Sequence, residues 1–398
     1  MTANGKNPIV IASAARTPMG GFQGELAPLT APQLGSAAIR AALERAQVNG
    51  EDVGEVIMGC VLPAGMGQAP ARQASFGAGI PQAVGCTTIN KMCGSGMKAA
   101  MFGHDLIAAG SADIVVAGGL ESMSNAPYLL DKARGGYRLG NGKIYDHMFI
   151  DGLEDAYERG KLMGAFAEDT AEHYQFTREA QDEFAITSLR RAQAATEDGS
   201  FATEITPVTV KTRKGEATVE TDEQPRTANL DKIPTLRPAF REGGTVTPAN
   251  SSSISDGAAA LVMMRLSEAE RRGIAPLAII RGHATHAQAP AWFTTAPIDA
   301  VRKVLDRVGW DKDAVGLFEV NEAFAVVTMA AMRDLDIPHD KMNVHGGACA
   351  LGHPVGASGA RIMATLMAAM QKYDVDRGVA ALCIGGGEAT AVALEKVH

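Results

Sequence analysis

The sequence predicts an α/β protein of stacked sheets and helices, built from two related halves with an inserted segment between them. Short β-rich runs alternate with Ala-rich helical runs along the chain. Two distant segments, 93–121 and 356–388, share one order of features: a glycine-serine turn, a helix, a charged loop, a buried strand, a glycine cluster and a glutamate. The chain has 398 residues, of which 46% are hydrophobic, so more than one domain is expected.

The individual elements follow from local composition and period. Strands are predicted at 9–12, 55–59, 114–117, 277–283, 317–320 and 379–384. Helices are predicted at 34–46, 96–109, 300–308, 323–334 and 358–371. Because the strands alternate with helices, we expect mainly parallel sheets.

The middle of the chain, about 124–250, is more charged and less regular than the two flanking parts. One amphipathic helix stands out there, with Thr177 as its expected N-cap and with Glu179 and Asp182 in its early turns. We interpret this region as an insertion that carries oligomer contacts or holds a ligand.

Charge and apolar runs exclude several classes of partner. The net charge is −8 and no long basic block occurs, which argues against nucleic acid and anionic membranes. No apolar run reaches the length of a membrane span. The apolar run at 8–11 follows Lys6 and is short, so it is interpreted as a first buried strand rather than a signal peptide.

The cysteines indicate a reducing environment. There are five, an odd number, and no two are spaced as a CxxC pair. A disulfide framework is therefore not expected, and a structural zinc site lacks its usual ligand pattern. We expect reduced thiols, a cytoplasmic location and no metal.

Cys93 begins the stretch "CGSGMKA" and allows several interpretations. Gly94 to Ala99 matches a dinucleotide-binding fingerprint, and Glu121 lies about twenty residues further on, as that fingerprint requires. Segment 85–92 is nevertheless a poor buried strand, and the fingerprint is absent from the first βα turn. Alternatively, Cys93 lies at the N-terminus of a helix, where the dipole and free N–H groups favour a thiolate. A small buried cysteine is the third interpretation.

Three further clusters carry potential chemistry. His353 precedes a proline among several glycines, just ahead of a helix, where it is well placed as a general base. Cys383 ends a predicted strand against three glycines, whose N–H groups could form an oxyanion hole; a core cysteine is the alternative. Asn321 and Glu322 follow a strand and open a helix, and Asn321 is expected to be the N-cap of that helix whether or not it also has a chemical role.

Taken together, these clusters resemble the thiolase family. The blocks "NKMCGSGMKA", "GGLESMS", "NEAFA", "GGACALGHPVGASGAR" and "CIGGGEA" are similar to its signature motifs in order and spacing, and the similarity extends over "ARTPMGGFQGEL" and "GTVTPANSSSISDGAAA". The resemblance implies a five-layer α-β-α-β-α core. Its halves would be 1–123, completed by about 251–273, and 274–398, with a coenzyme A-binding loop domain at 124–250 and a homotetrameric assembly.

The same resemblance implies a reaction and a role for each catalytic residue. The reaction is the reversible Claisen condensation of two acetyl-CoA to acetoacetyl-CoA and CoA, by a ping-pong mechanism. Cys93 would be acylated after His353 takes its proton, and Cys383 would deprotonate the second acetyl-CoA. One oxyanion hole would combine His353 with a water held by Asn321; the other would use the backbone N–H groups of Cys93 and Gly385. No metal or redox cofactor is implied, since the coenzyme A thioester is itself the substrate.

The resemblance also implies contacts to acyl-CoA. Ser252 would lie near the pantetheine and Arg226 on the phosphate side. Phe240 and Met163 would line the pocket, and Phe293 would favour a short acyl chain.

Two departures leave the substrate open. Leu162 in "KLMG" stands where acetoacetyl-CoA thiolases often have a histidine, and Thr294 replaces the proline found in enzymes that accept 2-methyl substrates. A degradative 3-ketoacyl-CoA thiolase of broader chain length is therefore the alternative. Cys383 argues against a decarboxylating ketoacyl synthase. A nucleotide-dependent oxidoreductase and a non-catalytic CoA-binding scaffold represent other classes, and neither requires the thiols.

Overall fold

A computed structural model describes residues 7–213 and 215–398. Residues 1–6, which include Lys6 and the start of the predicted first domain, lie outside the described residues, as does Lys214. The strands are β1 (Ile9–Arg16), β2 (Gly20–Gly21), β3 (Glu55–Gly59), β4 (Gly85–Ile89), β5 (Ile114–Ser122), β6 (Tyr128–Leu129), β7 (Tyr145–Asp146), β8 (Val208–Thr212), β9 (Gly215–Val219), β10 (Ser255–Arg265), β11 (Ala278–Ala287), β12 (Leu317–Val320), β13 (Arg377–Ile384) and β14 (Glu388–Glu395). The helices are α1 (Ala31–Ala46), α2 (Pro70–Gly77), α3 (Ser95–Ala109), α4 (Met163–Tyr174), α5 (Arg178–Glu197), α6 (Glu223–Thr227), α7 (Leu266–Arg272), α8 (Ala296–Val308), α9 (Ala325–Leu335), α10 (Ala348–Leu351) and α11 (Ser358–Lys372).

The two halves repeat one strand order. The first half has the order β4-β3-β5-β10-β1, and the second has β12-β13-β14-β11. In the second half Met342 forms a parallel bridge with Phe318 of β12, which is the place that β4 occupies beside β3. The halves join where β1 pairs with β11. This repetition is the structural counterpart of the internal similarity seen in the sequence.

The expectation of mainly parallel sheets was wrong, because the sheet is mixed. β3 runs parallel to β4 and β5, and β12 runs parallel to β13. The remaining neighbours along the sheet are antiparallel. The physical reason is clearest at β13 and β14, which are joined only by Gly385 to Gly387, and so short a connection can link antiparallel strands only.

The helices form three layers around the two halves of the sheet, which confirms the five-layer α-β-α-β-α fold. One apolar core lies under α1 and α2, a second under α8 and α9, and a third contains α3 and α11 with residues from both halves of the sheet. Glycine lets α3 and α11 approach closely: a Cβ on Gly96 would lie 2.8 Å from the Ala360 nitrogen, and one on Gly359 would lie 2.3 Å from the Met97 nitrogen. Gly96, the second glycine of the apparent nucleotide fingerprint, is therefore used for helix packing.

Most predicted elements are present, with specific exceptions. Thr177 caps α5 and accepts a hydrogen bond from the Ala180 N–H at 3.2 Å, as predicted. Asn321 is not an N-cap, because α9 starts at Ala325 and Phe324 is the preceding residue. Segment 85–92 contains β4, a half-exposed strand at the end of the sheet, which explains why it lacks a buried apolar pattern. Among the described residues, no helix combines the length and the apolar character needed to cross a membrane.

Candidate active site

Cys93 lies in a tight turn directly before α3. Gly94 is the N-cap of this helix, and Met92 has a positive φ of 47°. Ser95 fastens the turn: its Oγ accepts from the Lys91 N–H at 2.8 Å and donates to the Met92 carbonyl at 2.6 Å. The strained backbone at Met92 is held by these bonds, and it fixes Cys93 at the entrance to the central helix layer.

The Cys93 thiol is protonated at neutral pH. Burial raises its pKa to about 11, although the backbone N–H groups of Gly385 and of Cys93 itself donate toward the sulfur and oppose that shift. The expectation that the helix N-terminus favours a thiolate is therefore wrong for the free protein, because desolvation outweighs the donors. Formation of a nucleophile requires a base nearby.

His353, which lines the same cavity as Cys93, is the candidate for such a base. Its Nδ1 lies 2.5 Å from the Ser358 Oγ, and that hydroxyl donates to the Pro354 carbonyl at 3.0 Å. The hydroxyl has a single proton, which it donates to Pro354, so its oxygen accepts a hydrogen bond from His353 Nδ1–H. This contact assigns the Nδ1–H tautomer. The Nε2 atom is buried and has no hydrogen-bond partner. Burial, with the charge of Arg361 adding to it, lowers the pKa of His353 to about 3, so Nε2 carries a free lone pair at neutral pH.

Cys383 supplies a second protonated thiol beside the first. It lies near the end of β13 and is fully buried. Burial raises the pKa of Cys383 well above its usual value, and the nearby Cys93 raises it further. The hairpin that follows brings the Gly385 N–H to the Cys93 sulfur, so one turn positions both a thiol and an amide donor.

Asn321 is oriented by a buried ion pair. Its Oδ1 accepts from Arg361 Nη2 at 3.4 Å, and Arg361 Nη1 lies 3.2 Å from Glu319 Oε1. This arrangement directs the Asn321 amide nitrogen away from the guanidinium, and that nitrogen is buried without a partner. A buried donor without an acceptor is uncommon in folded proteins and indicates a place for a water or a ligand oxygen.

Glu121 ties the His353 loop to the first half. Its carboxylate accepts from the backbone N–H groups of Val61, Leu62 and Gly356 at 2.8, 3.1 and 2.9 Å. Burial raises the pKa of Glu121 to about 7, while the three donors oppose the shift. This carboxylate connects the loop after β3 to the turn after His353, which is a structural role rather than a ribose contact.

Three of the five catalytic candidates, Cys93, His353 and Gly385, open onto one cavity of about 460 Å³. Seven predicted site residues line it: Cys93, Met163, Phe240, Ser252, Phe293, His353 and Gly385. Cys383 and Asn321 are buried and do not belong to the lining. Arg226 lies apart from the cavity, half exposed, with its Nη2 2.6 Å from Glu25 Oε1. The structure thus brings together the predicted set without Arg226.

The two departures from the family motifs differ in their surroundings. Leu162 lines the cavity together with Phe293. Thr294 is buried and does not belong to the lining; its hydroxyl lies 2.5 Å from that of Thr170, which donates to the Phe166 carbonyl. Leu162 is therefore exposed to a ligand in the cavity, whereas Thr294 lies behind the cavity wall.

Comparison with known protein families agrees with this arrangement. The thiolase N-terminal domain matches residues 9–267, and the thiolase C-terminal domain matches residues 274–396. The chain belongs to the thiolase family. Cys93 lies in the part matched by the N-terminal domain, and His353 and Cys383 lie in the part matched by the C-terminal domain, so the site is assembled from both.

Several curated thiolases are similar over their whole length. The acetyl-CoA acetyltransferase of Cupriavidus necator is 49% identical over 98% of this chain and 99% of its own. The acetyl-CoA acetyltransferase of Escherichia coli is also 49% identical, over 98% of this chain and 99% of its own. A probable acetyl-CoA acetyltransferase of Dictyostelium discoideum is 49% identical over 100% of this chain and 96% of its own.

Two residues that support the thiolase site, Ser358 and Arg361, were not predicted from the sequence, and the role of Glu121 was predicted wrongly. All three lie within the motifs already quoted, so a signal was present. Glu121 and Arg361 act through partners that are distant in sequence, Gly356 and Asn321, and a motif alone does not reveal such contacts. Ser358 contacts His353 within one motif, but the motif does not show which ring nitrogen the hydroxyl meets.

Proposed function

We propose that this thiolase is an acetyl-CoA acetyltransferase that condenses two acetyl-CoA to acetoacetyl-CoA and CoA, and also catalyses the reverse thiolysis. The names of the whole-length relatives support the substrate. The observation that carries the chemistry is the pairing of two protonated thiols, Cys93 and Cys383, with a histidine whose Nε2 is buried and unpartnered.

In the first half-reaction His353 Nε2 takes the Cys93 proton, and the thiolate attacks the acetyl-CoA carbonyl carbon. The N–H groups of Cys93 and Gly385 stabilise the resulting oxyanion. Support for this assignment is that both groups donate toward the Cys93 sulfur, beside which the oxyanion forms. Collapse of the tetrahedral intermediate breaks the bond between the acetyl carbon and the CoA sulfur. The departing CoA thiolate takes the proton of Cys383, whose raised pKa keeps the thiol protonated until this step and makes its thiolate a strong base for the next, and acetyl-Cys93 remains.

In the second half-reaction the Cys383 thiolate removes a proton from the methyl group of a second acetyl-CoA. The negative charge moves to the thioester oxygen, where protonated His353 and a water bound to the Asn321 amide nitrogen donate hydrogen bonds. The carbanion attacks acetyl-Cys93, and acetoacetyl-CoA is released. The Cys93 thiolate then recovers its proton from His353, so that both thiols and the neutral histidine are restored.

Coenzyme A contacts are proposed at the mouth of the cavity. Ser252 is near the pantetheine in this proposal, with support from its place in the lining beside Phe240. Arg226 would contact a phosphate only by exchanging Glu25 for it, which its exposure permits. Arg226→Ala is expected to raise the KM for acetoacetyl-CoA without raising that for the corresponding pantetheine thioester. An equal effect on both would remove Arg226 from the phosphate side.

We also propose that segment 124–250 mediates contacts between copies in a homotetramer and that the enzyme works in a reducing, cytoplasmic compartment. Exposed apolar side chains in this segment support the first point, with Leu139 97% and Ile144 68% exposed. Light scattering after size-exclusion chromatography tests it, since Leu139→Ser with Ile144→Ser should give a smaller species than the wild type. An unchanged mass would contradict the role of this segment.

A degradative 3-ketoacyl-CoA thiolase is the second candidate, and the apolar Leu162 in the lining favours it. Steady-state thiolysis of acetoacetyl-CoA, its 2-methyl analogue and a longer 3-ketoacyl-CoA distinguishes the two, with Cys93→Ser and Cys383→Ser alongside. Preference for acetoacetyl-CoA, lost in both variants, supports the acetyltransferase. Equal or better use of the longer chain assigns the degradative class, and no turnover of any substrate would refute both.

A further inference from the structure

Away from the catalytic cavity, two histidines and an aspartate converge where α3 faces β11. His104 and Asp105 are consecutive residues of α3, and His283 lies on β11. Asp105 Oδ1 lies 3.1 Å from His104 Nδ1 and 2.9 Å from His283 Nε2. Over the described ranges 7–213 and 215–398, this is the group of His, Cys, Asp and Glu that brings three ligand atoms within 4.8 Å of one another. The proposed catalytic steps use none of the three.

The spacing of these atoms suits a small metal ion. In tetrahedral sites with metal–ligand distances of about 2.0–2.2 Å, neighbouring ligand atoms are separated by roughly 3.3–3.5 Å, so the two distances to Asp105 are close to what such a site needs. The imidazole rings of His104 and His283 are nearly perpendicular, at 84°, with centroids 5.1 Å apart. The two rings therefore reach the same carboxylate oxygen from different directions, as ligands around one ion do.

The cluster is also accessible and adjustable. The side chains of His104 and His283 are each 14% exposed, whereas that of Asp105 is 55% exposed. The two imidazoles are thus held by their surroundings, while the carboxylate can shift by the small amount needed to admit an ion. An ion can approach from solvent through the side that Asp105 occupies.

We propose that His104, Asp105 and His283 bind one divalent transition-metal ion of the zinc class, with water completing its coordination. Two imidazoles and one carboxylate suit Zn²⁺, Co²⁺ or Ni²⁺ better than Mg²⁺ or Ca²⁺, which prefer oxygen ligands. Without metal, the ring N–H groups donate to the carboxylate. On binding, each neutral imidazole holds its proton on the other ring nitrogen, and the freed lone pairs and the carboxylate coordinate the ion.

This ion connects the two halves of the fold, because α3 belongs to the first half and β11 to the second. An ion that binds only the folded arrangement stabilises that arrangement. The sequence predicted no metal, because its cysteines lack a ligand pattern and the chemistry at Cys93 needs none. His283 is 178 positions from Asp105, so no local spacing indicates that the two meet. The proposed metal site takes no part in the thiolase reaction.

Metal binding by the intact chain tests this proposal. The protein is stripped with EDTA in a Cys93→Ser, Cys383→Ser background, which removes two active-site thiols that zinc could deprotonate and bind. Equilibrium dialysis against Zn²⁺ with elemental analysis should give about one bound ion per chain, and Co²⁺ should give the visible absorption of a low-symmetry, four-coordinate site. Asp105→Asn and His283→Ala should each abolish both signals.

His286→Ala is the matched control, because His286 lies on the same strand but hydrogen-bonds Gln288 at 2.9 Å, and it should retain the ion. Asp105→Asn changes a largely exposed carboxylate and should keep the fold, so its result stands even if His283→Ala is unstable. Absence of bound ion in the parent background would overturn the proposal. So would equal metal content in the parent and in folded Asp105→Asn.

Discussion

Removal of one hydroxyl at Ser358 should impair catalysis without altering substrate binding. In the structure this hydroxyl accepts the Nδ1–H of His353 at 2.5 Å and thereby leaves Nε2 as the free base. Ser358→Ala leaves the buried Nδ1–H without a partner, which costs about 1–3 kcal/mol. The same cost disfavours the working tautomer, so kcat/KM for thiolysis should fall about 5- to 150-fold, since about 1.4 kcal/mol corresponds to tenfold.

The decrease should appear in kcat and in the rate of acetyl-Cys93 formation, while the KM for acetoacetyl-CoA remains close to that of the wild type. Thr365→Ala is the matched control: it removes a buried hydroxyl from the same helix, where Thr365 donates to Glu204 at 3.1 Å away from the cavity. Thr365→Ala should lose stability but little activity per folded enzyme. A Ser358→Ala enzyme with wild-type kcat, or with a change confined to KM, would refute the reasoning about the tautomer.

Three further predictions follow from the site. Asn321→Ala should lower kcat by about 100- to 1,000-fold with little change in KM, as is usual for loss of one oxyanion-hole donor, and a loss below tenfold would contradict that role. Because the pKa of Cys93 is raised to about 11, alkylation of the free enzyme by iodoacetamide should accelerate about tenfold per pH unit from pH 7 to 9, and a plateau near pH 8.5 would contradict the raised value. Gly387→Ala should unfold at a clearly lower temperature than Gly385→Ala. Gly387 has φ 89° and a Cβ there would lie 2.3 Å from the Gln288 carbonyl oxygen, whereas a Cβ on Gly385 would lie 3.6 Å from the Met163 sulfur. Equal melting temperatures of the two variants would contradict this prediction.

The layered architecture could be predicted because it is written in local patterns. The apolar run that forms β12 and the helical period of α11 depend on neighbouring residues, and the internal repeat is visible because each copy is a series of such local features; the structure confirms all three. Strand direction could not be predicted in the same way. The hairpin between β13 and β14 looked like a strand followed by a glycine-rich loop, because β14 is a run of small apolar residues with no strong strand signal.

In the active site too, features encoded in local motifs could be predicted, whereas features that depend on distant contacts could not. Cys93, His353 and Cys383 are recognisable because each stands among glycines in a distinctive motif, and the structure brings Cys93 and His353 to one cavity with Cys383 behind it. The ionisation of Cys93 was not predictable, since the helix N-terminus and burial act in opposite directions and only the three-dimensional surroundings decide which is larger. The partners that orient the catalytic groups, such as Arg361 beside Asn321, likewise depend on long-range contacts.

Identification of the acylated residue tests the central claim most directly. Wild-type enzyme and the variants Cys93→Ser and Cys383→Ser are mixed with acetyl-CoA, quenched in acid, digested and analysed by peptide mass spectrometry. The account predicts an acetyl group on Cys93 in the wild type. It also predicts retention of that group in Cys383→Ser, where water or buffer protonates the departing CoA thiolate, and its absence from Cys93→Ser. Acetylation of Cys383 in place of Cys93, or of neither thiol in an enzyme that turns over, would contradict it.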